Sequence, residues 1–205
     1  MKRKRYKLYD KYDQFIIEIL KGKYISNTMR KLVHYDVYTF WHCVSVAKES
    51  VRIADSIGLD EEYLLEIAVA GLLHDIGKLE VPIEIIHKPG NLTDIEFDYV
   101  KMHPLIGADM VCKSGIYSER VIDGIRHHHM NINGTGYGGS GDEHLNLCDR
   151  IIRITDSFDA MTDNRPYHKA YNNDFAMLQL KKEKGISYDP MLLDVFIRLK
   201  QEKKI

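Results

Sequence analysis

Ten histidines stand in this chain of 205 residues, and several of them sit beside carboxylates or other imidazoles, the side chains that share cations. His74-Asp75 closes the apolar stretch AVAGLL and is followed at once by Ile-Gly-Lys. That is a helix end, where backbone and side chains turn toward a cleft, so an imidazole and a carboxylate meet there as a candidate metal pair. His42 lies in FWHCVSVA, on a helix whose other positions are largely apolar, and reads either as a core histidine bonded to backbone or as a ligand. His103 precedes Pro104, and a proline in that place kinks a helix or marks its first turn, exposing the side chain before it. Asp156 falls on the apolar face of RIIRITDSFDAMT, where an unpaired carboxylate is costly to desolvate, so it needs a cation or several donors. Asp159 follows three residues later on the same helical face. The stretch HHHMNINGTGYGG, His127 to Gly139, adds three consecutive histidines before a glycine-rich loop. Successive helical residues point about 100° apart, so three neighbours cannot share one centre. Two can, and periodicity leaves open whether they are His127 and His128 or His128 and His129.

The elements that must position these groups read as helices. Apolar residues recur at helical spacing in YDQFIIEIL, FWHCVSVAKESVRIADSI, YLLEIAVAGLL, FDYVKMHPLIGADMV, LCDRIIRITDSFDAM and PMLLDVFIRL. Strand-like alternation is nearly absent. Gly58, Gly77 and Pro89-Gly90 punctuate the segments, and Thr93-Asp94 with Glu96 has the spacing of a capping box. Only residues 131–141 read as a long, glycine-loosened loop. The chain is therefore expected to be all-α, a single domain over residues 1–205 with no repeat or linker. With 29 basic and 30 acidic residues, the overall charge recommends neither a nucleic-acid polymer nor an anionic membrane as partner. The basic start MKRKRYK reads as a solvated terminus. No apolar run has the length of a signal peptide core or a membrane span, which predicts a soluble, cytoplasmic protein. Cys43, Cys112 and Cys148, far apart and odd in number, suit reduced thiols in or near the core.

Together the motifs resemble the HD superfamily of metal-dependent phosphohydrolases, and more narrowly its HD-GYP branch, which cleaves cyclic di-GMP. The resemblance runs from about His42 to Tyr167 and rests on four stretches: GLLHDIGKLEVPIEIIHKPGNLTDIEF, MHPLIGADMV, HHMNINGTGYG and RIIRITDSFDAMTDNRPY. It implies one helical bundle enclosing a di-metal site, with a motif-bearing core of about residues 37–170 on which N- and C-terminal helices pack. The family's HHExxDGxGYP aligns from His128 and leaves His127 outside. Carried over by position, the metal shell is His42, His74, Asp75, His103, His128, His129 and Asp156. Asp75 would bridge, one ion taking His42, His74 and Asp156 with it, the other His103, His128 and His129. Such mixed shells suit two divalent ions, iron or manganese ahead of zinc, nickel, cobalt or magnesium. A third ion in some relatives uses a glutamate one turn before the first histidine; Tyr38 stands there and predicts two.

The implied reaction is phosphodiester hydrolysis by in-line displacement, with water activated between two cations about 3.5–4 Å apart. Lys78 would stabilise charge on the phosphate beside the catalytic Asp75. Asp159 and Arg165 match positions that hold the metal-side network and the nucleotide phosphate, and His168 stands where relatives often carry a basic residue. The loop departs from the family: Met130 replaces Glu, Asn133 replaces Asp and Gly138 replaces Pro, which puts loop order and substrate choice in question. The leading expectation is hydrolysis of cyclic di-GMP to pGpG and onward to GMP. Another nucleotide or cyclic dinucleotide, and a catalytically silent nucleotide-binding regulator, are the competing readings, and a regulatory module would lie on a separate chain.

Overall fold

Helix-period apolar spacing builds the described architecture, and Asp10, Asp36, Asp60, Thr93, Ser118, Asn146 and Asn172 cap helix starts with their side chains. The computed structural model describes residues 10–139, 144–163 and 170–202; Arg165, His168 and the basic start lie outside them. The order is α1 (Lys11–Leu20), α2 (Lys23–Tyr35), α3 (Val37–Ser56), α4 (Glu61–Leu73), a 3-10 turn (Ile76–Glu80), α5 (Ile83–Ile86), α6 (Asp94–Lys101), α7 (His103–Cys112), α8 (Glu119–Arg126), α9 (Leu147–Thr162), α10 (Asn173–Lys182) and α11 (Pro190–Glu202). Among the described residues no strand forms; only isolated bridges join Met130 to Gly136 and Lys184 to Tyr188. No described helix is long and apolar enough to cross a membrane.

The central layer is α3 packed against α4 and α9, with α8 between α4 and α9 and α7 beside α8. Val46, Ala47, Ile53, Ile67, Leu72, Ile151, Ile152 and Ile154 are fully buried in it. Each large aliphatic side chain there contributes about 1.5–3 kcal/mol of burial. One buried polar pair crosses the layer, Ser50 Oγ to Thr155 Oγ1 at 2.8 Å, and ties α3 to α9 at the residue before Asp156. Helices α1 and α11 pack on α3 from outside.

The caps place the ends of the site-bearing helices. Asp36 accepts from the backbone N–H groups of Tyr38 and Thr39 to start α3, and Asn146 with Asp149 forms a capping box on α9. The Thr93–Glu96 box read from the sequence starts α6. The single segment FDYVKMHPLIGADMV is divided at Met102, with Pro104 in the first turn of α7. His103 is consequently not exposed: the new helix turns it inward, to 1% accessibility. At Gly77 a Cβ would lie 2.0 Å from His103 O, so the turn after His74-Asp75 is pressed directly onto α7. Cys43 and Cys148 are buried, whereas Cys112 is exposed at the end of α7, against the expectation of a near-core thiol.

Candidate metal centre

Three helix ends and two helix middles converge on one buried volume. Two groups of side chains each bring their ligand atoms within 4.8 Å of one another: His42, His74 and Asp75, and His103, His128 and His129. His42 comes from the middle of α3, His74-Asp75 from the end of α4, His103 from the start of α7, and His128 and His129 from just beyond α8. In the first group His42 Nε2 is 3.2 Å from His74 Nε2 and 3.1 Å from Asp156 Oδ1. In the second, His103 Nε2 is 3.1 Å from His128 Nε2, and the His103 and His129 rings meet edge to face at 5.1 Å. Asp75 stands between the groups. Its Oδ1 is 3.1 Å from His103 Nε2, and its Oδ2 is 3.5 Å from His74 Nε2 and 3.7 Å from His42 Nε2. Asp156 from α9 also spans them, its Oδ2 lying 3.7 Å from His129 Nδ1.

Three of the histidines are oriented by one device. His74, His103 and His128 each donate Nδ1–H to the carbonyl three residues back: Gly71 at 2.8 Å, Val100 at 2.6 Å and Ile125 at 2.7 Å. A carbonyl only accepts, so in the neutral ring Nδ1 carries the proton and the Nε2 lone pair faces the centre. Burial, reinforced by neighbouring imidazoles, holds His128 well below its ordinary value; burial likewise lowers His74 and His129. His103 and His128 therefore aim lone pairs at each other across 3.1 Å, an arrangement that repels unless a cation lies between. Asp75 Oδ1 is buried with no hydrogen bond. Burial opposes its ionisation, but the Lys78 ammonium and His74 hold the carboxyl well below the usual carboxylate range. A buried anionic oxygen without a donor, facing inward lone pairs, is a donor set that fits divalent cations.

His42 is held differently. Its Nδ1 donates to Asp159 Oδ2 at 2.7 Å, and Ser45 Oγ donates to the other Asp159 oxygen. Burial alone would lower its pKa, but hydrogen bonds to Asp156 and Asp159 overcome this and push it up to about 9. Lys78 Nζ lies 2.6 Å from Asp75 Oδ2, at the edge of the centre. Tyr38 is half exposed one turn before His42.

The glycine-rich loop leaves His127 out of the centre. That ring is buried 3.5 Å from Asp149 Oδ2, and neither of its nitrogens makes a hydrogen bond. Met130 is buried. Asn133 Oδ1 accepts from Thr135 N at 3.1 Å and Thr135 Oγ1 at 2.7 Å. Asn131 N donates to Thr135 O at 2.7 Å, and Asn131 Oδ1 takes two bonds from Arg153, at 3.2 and 2.9 Å. The glycines of this stretch therefore serve defined turns more than slack. Gly138 sits at φ +102, a conformation that proline, fixed near −65°, cannot adopt, and its Cβ position is 2.3 Å from Arg126 O. Tyr137 lays its ring on His129, with centroids 4.5 Å apart and planes at 31°. Burial, and then the charges of Asp156 and Asp75, push its phenol up, so it stays protonated. Ser45, Arg153 and Tyr137 are site neighbours to which the sequence assigned no role; Ser45 carried a signal three residues after His42 on the same helical face, and Tyr137 carried one in its place in HHMNINGTGYG.

The sequence pattern of the HD domain matches residues 17–192. A cyclic di-GMP phosphodiesterase of Pseudomonas aeruginosa is 36% identical over 190 residues, 92% of this chain and 46% of that protein. A cyclic di-GMP phosphodiesterase of Thermotoga maritima is 32% identical over 95% of this chain and 52% of its own length. A 3′3′-cGAMP-specific phosphodiesterase of Vibrio cholerae is 31% identical over 80% of this chain and 38% of its own. The chain thus spans about half the length, or less, of these curated relatives. Among solved structures, an HDG"Y"P protein from Bdellovibrio bacteriovorus superposes with a TM-score of 0.67 at 18% identity, over 93% of this chain and 63% of that one. The HD domain of the L. monocytogenes phosphodiesterase PgpH gives 0.62 at 18% identity, over 87% and 99%. At those identities the structural likeness speaks for the fold.

Proposed function

The chain belongs to the HD-domain family, and from that premise we propose that it is a two-metal phosphodiesterase that opens cyclic di-GMP to pGpG and carries it on to GMP. One observation carries the reading: Asp75, a buried carboxylate, presents Oδ1 to one imidazole cluster and Oδ2 to the other. That is the geometry a bridging ligand requires. His42, His74 and Asp156 would hold one ion with Asp75, and His103, His128 and His129 the other; iron or manganese suits the mixed nitrogen and oxygen donors. When bound, the pair supplies Lewis acidity toward a phosphate and activates water near neutral pH.

The chain's own residues do the rest. The carbonyls of Gly71, Val100 and Ile125 fix three imidazoles in the tautomer that leaves Nε2 free. Asp159, braced by Ser45, orients His42 and draws its Nδ1 proton away from the centre. Lys78 already lies at the rim, 2.6 Å from Asp75. From there its ammonium would meet a non-bridging phosphate oxygen, where charge grows during displacement. Arg165 and His168, outside the described residues, are the proposed contacts to the nucleotide phosphate.

A second substrate reading is favoured by the loop. Met130, Asn133 and Gly138 occupy three positions of the HD-GYP signature with other chemistry, in a loop whose Tyr137 covers His129. Another cyclic dinucleotide, such as 3′3′-cGAMP, is therefore the alternative. The test is anaerobic loading with iron or manganese, followed by chromatography of products from a panel of cyclic and linear nucleotides. Turnover of cyclic di-GMP, abolished by Asp75→Ala, supports the proposal. Turnover confined to another dinucleotide selects the alternative, and binding without turnover under every metal makes the protein a silent nucleotide binder.

A further inference from the structure

An exposed aromatic side chain next to a polar, cation-ready centre needs an explanation, because burying a phenylalanine is worth about 1.5–3 kcal/mol. Phe97 on α6 is 45% exposed. Helix α6 buries none of its side chains, so the core does not dictate where Phe97 sits. Its position comes from the N-terminal capping box. Glu96 Oε2 accepts from Thr93 N at 2.7 Å and from Lys88 Nζ at 2.6 Å, which pins the residue preceding Phe97. The ring meets Tyr137 edge to face, with centroids 6.4 Å apart and planes at 78°. Tyr137 in turn lies on His129 and stands 6.4 Å from His103. An aromatic row therefore runs from solvent, at Phe97, through Tyr137 to the second imidazole cluster. The Lys101 ammonium sits over the Phe97 ring, 5.1 Å from its centroid, and pairs with Asp98 at 2.5 Å at the outer end of the row.

We propose that Phe97, backed by Tyr137, is the stacking edge that takes a purine base of the substrate while the adjoining phosphodiester occupies the centre. The assignment rests on the dinucleotide reading above. In a nucleotide the base is one sugar removed from the phosphate, so a phosphodiester held at the His103–His128–His129 side puts a neighbouring base beside its rim. A half-exposed ring offers that base a π-face, and stacking accepts guanine and adenine alike. Phe97 would thus govern affinity for the bases, and the centre the chemistry.

The test compares Phe97→Ala and Phe97→Trp with the wild type, all loaded with manganese, on cyclic di-GMP and 3′3′-cGAMP, with inorganic phosphate as a base-free competitive inhibitor. For Phe97→Ala, KM should rise about tenfold while kcat changes by less than about twofold. Phe97→Trp should restore KM. Metal content, the thermal midpoint and the phosphate inhibition constant should match the wild type, a pattern that a merely structural role does not produce. An unchanged KM in Phe97→Ala, or a phosphate constant that shifts in step with KM, overturns the assignment while leaving the phosphodiesterase reading intact. A wild type that neither binds nor cleaves any cyclic dinucleotide overturns both.

Discussion

Removing the Asp159 carboxylate tests whether the side chain behind His42, and not only the inner ligands, sets metal affinity. Asp159 Oδ2 accepts His42 Nδ1–H at 2.7 Å, while its other oxygen is held by the Ser45 hydroxyl. His42 is 2% exposed, so no water replaces the lost acceptor easily. A hydrogen bond to a charged group is worth roughly 1.5–3 kcal/mol, which corresponds to about a 10- to 100-fold change in affinity, and outer partners of metal-bound histidines show the same range. Asp159→Ala should weaken one of two metal sites by that factor and leave the other near the wild-type value, because Asp159 touches no residue of the His103–His128–His129 cluster. Asp159→Asn should cost only a few-fold: the amide oxygen still accepts from His42, and Ser45 can reverse to accept from the amide. Ser45→Ala should cost least. Equilibrium dialysis against buffered manganese, read as two binding steps, measures all three. Wild-type affinity in Asp159→Ala, or equal weakening of both steps, would refute the argument that His42 is tuned from behind.

Gly138→Pro, which restores the residue of the family signature, should damage this protein, because φ +102 is closed to proline; displacement of Tyr137 from His129 should weaken the second metal site about tenfold, and retained affinity in dialysis would contradict it. His127→Ala should keep both ions, since that ring lies beside Asp149, whereas His128→Ala and His129→Ala should each lose one, as metal analysis of the purified variants will show. In the metal-free protein His42 is raised from 6.5 to about 9, so its contribution to stability is complete below about pH 6.5 and disappears as pH rises through 9, a change of roughly 3 kcal/mol. Urea midpoints between pH 6 and 10 should show that loss, and His42→Asn should remove it while leaving the alkaline loss due to the buried thiols Cys43 and Cys148.

The helices were legible because apolar residues at 3.6 spacing leave few alternatives, and the Thr93–Glu96 box because capping is local chemistry. Pro104 was harder. Its restriction on the preceding residue is a backbone rule and says nothing about which way His103 points; the division of the segment at Met102, where a new helix starts, turns that residue inward. The exposed Cys112 shows the same limit, since hydrophobic type alone does not decide burial at a helix end. The HD pair, the paired histidines and Asp156 stood out by residue type and order. What orients them did not, because carbonyls at Gly71, Val100 and Ile125 look the same in any sequence and the Arg153–Asn131 bond spans elements that meet only in the fold. In the loop, replacement of Pro by Gly138 read as loosening, whereas the described backbone uses that glycine for a turn only glycine makes.

Whether Asp75 joins two ions is read from anomalous diffraction by crystals of the manganese-loaded protein, which counts the ions and locates them independently of any substrate. A bridged pair of ions gives two peaks about 3.5–4 Å apart, one within bonding distance of His42, His74 and Asp156, the other of His103, His128 and His129, with the two Asp75 oxygens divided between them. A single ion, a third ion beside Tyr38, or an Asp75 that touches only one peak would contradict that arrangement.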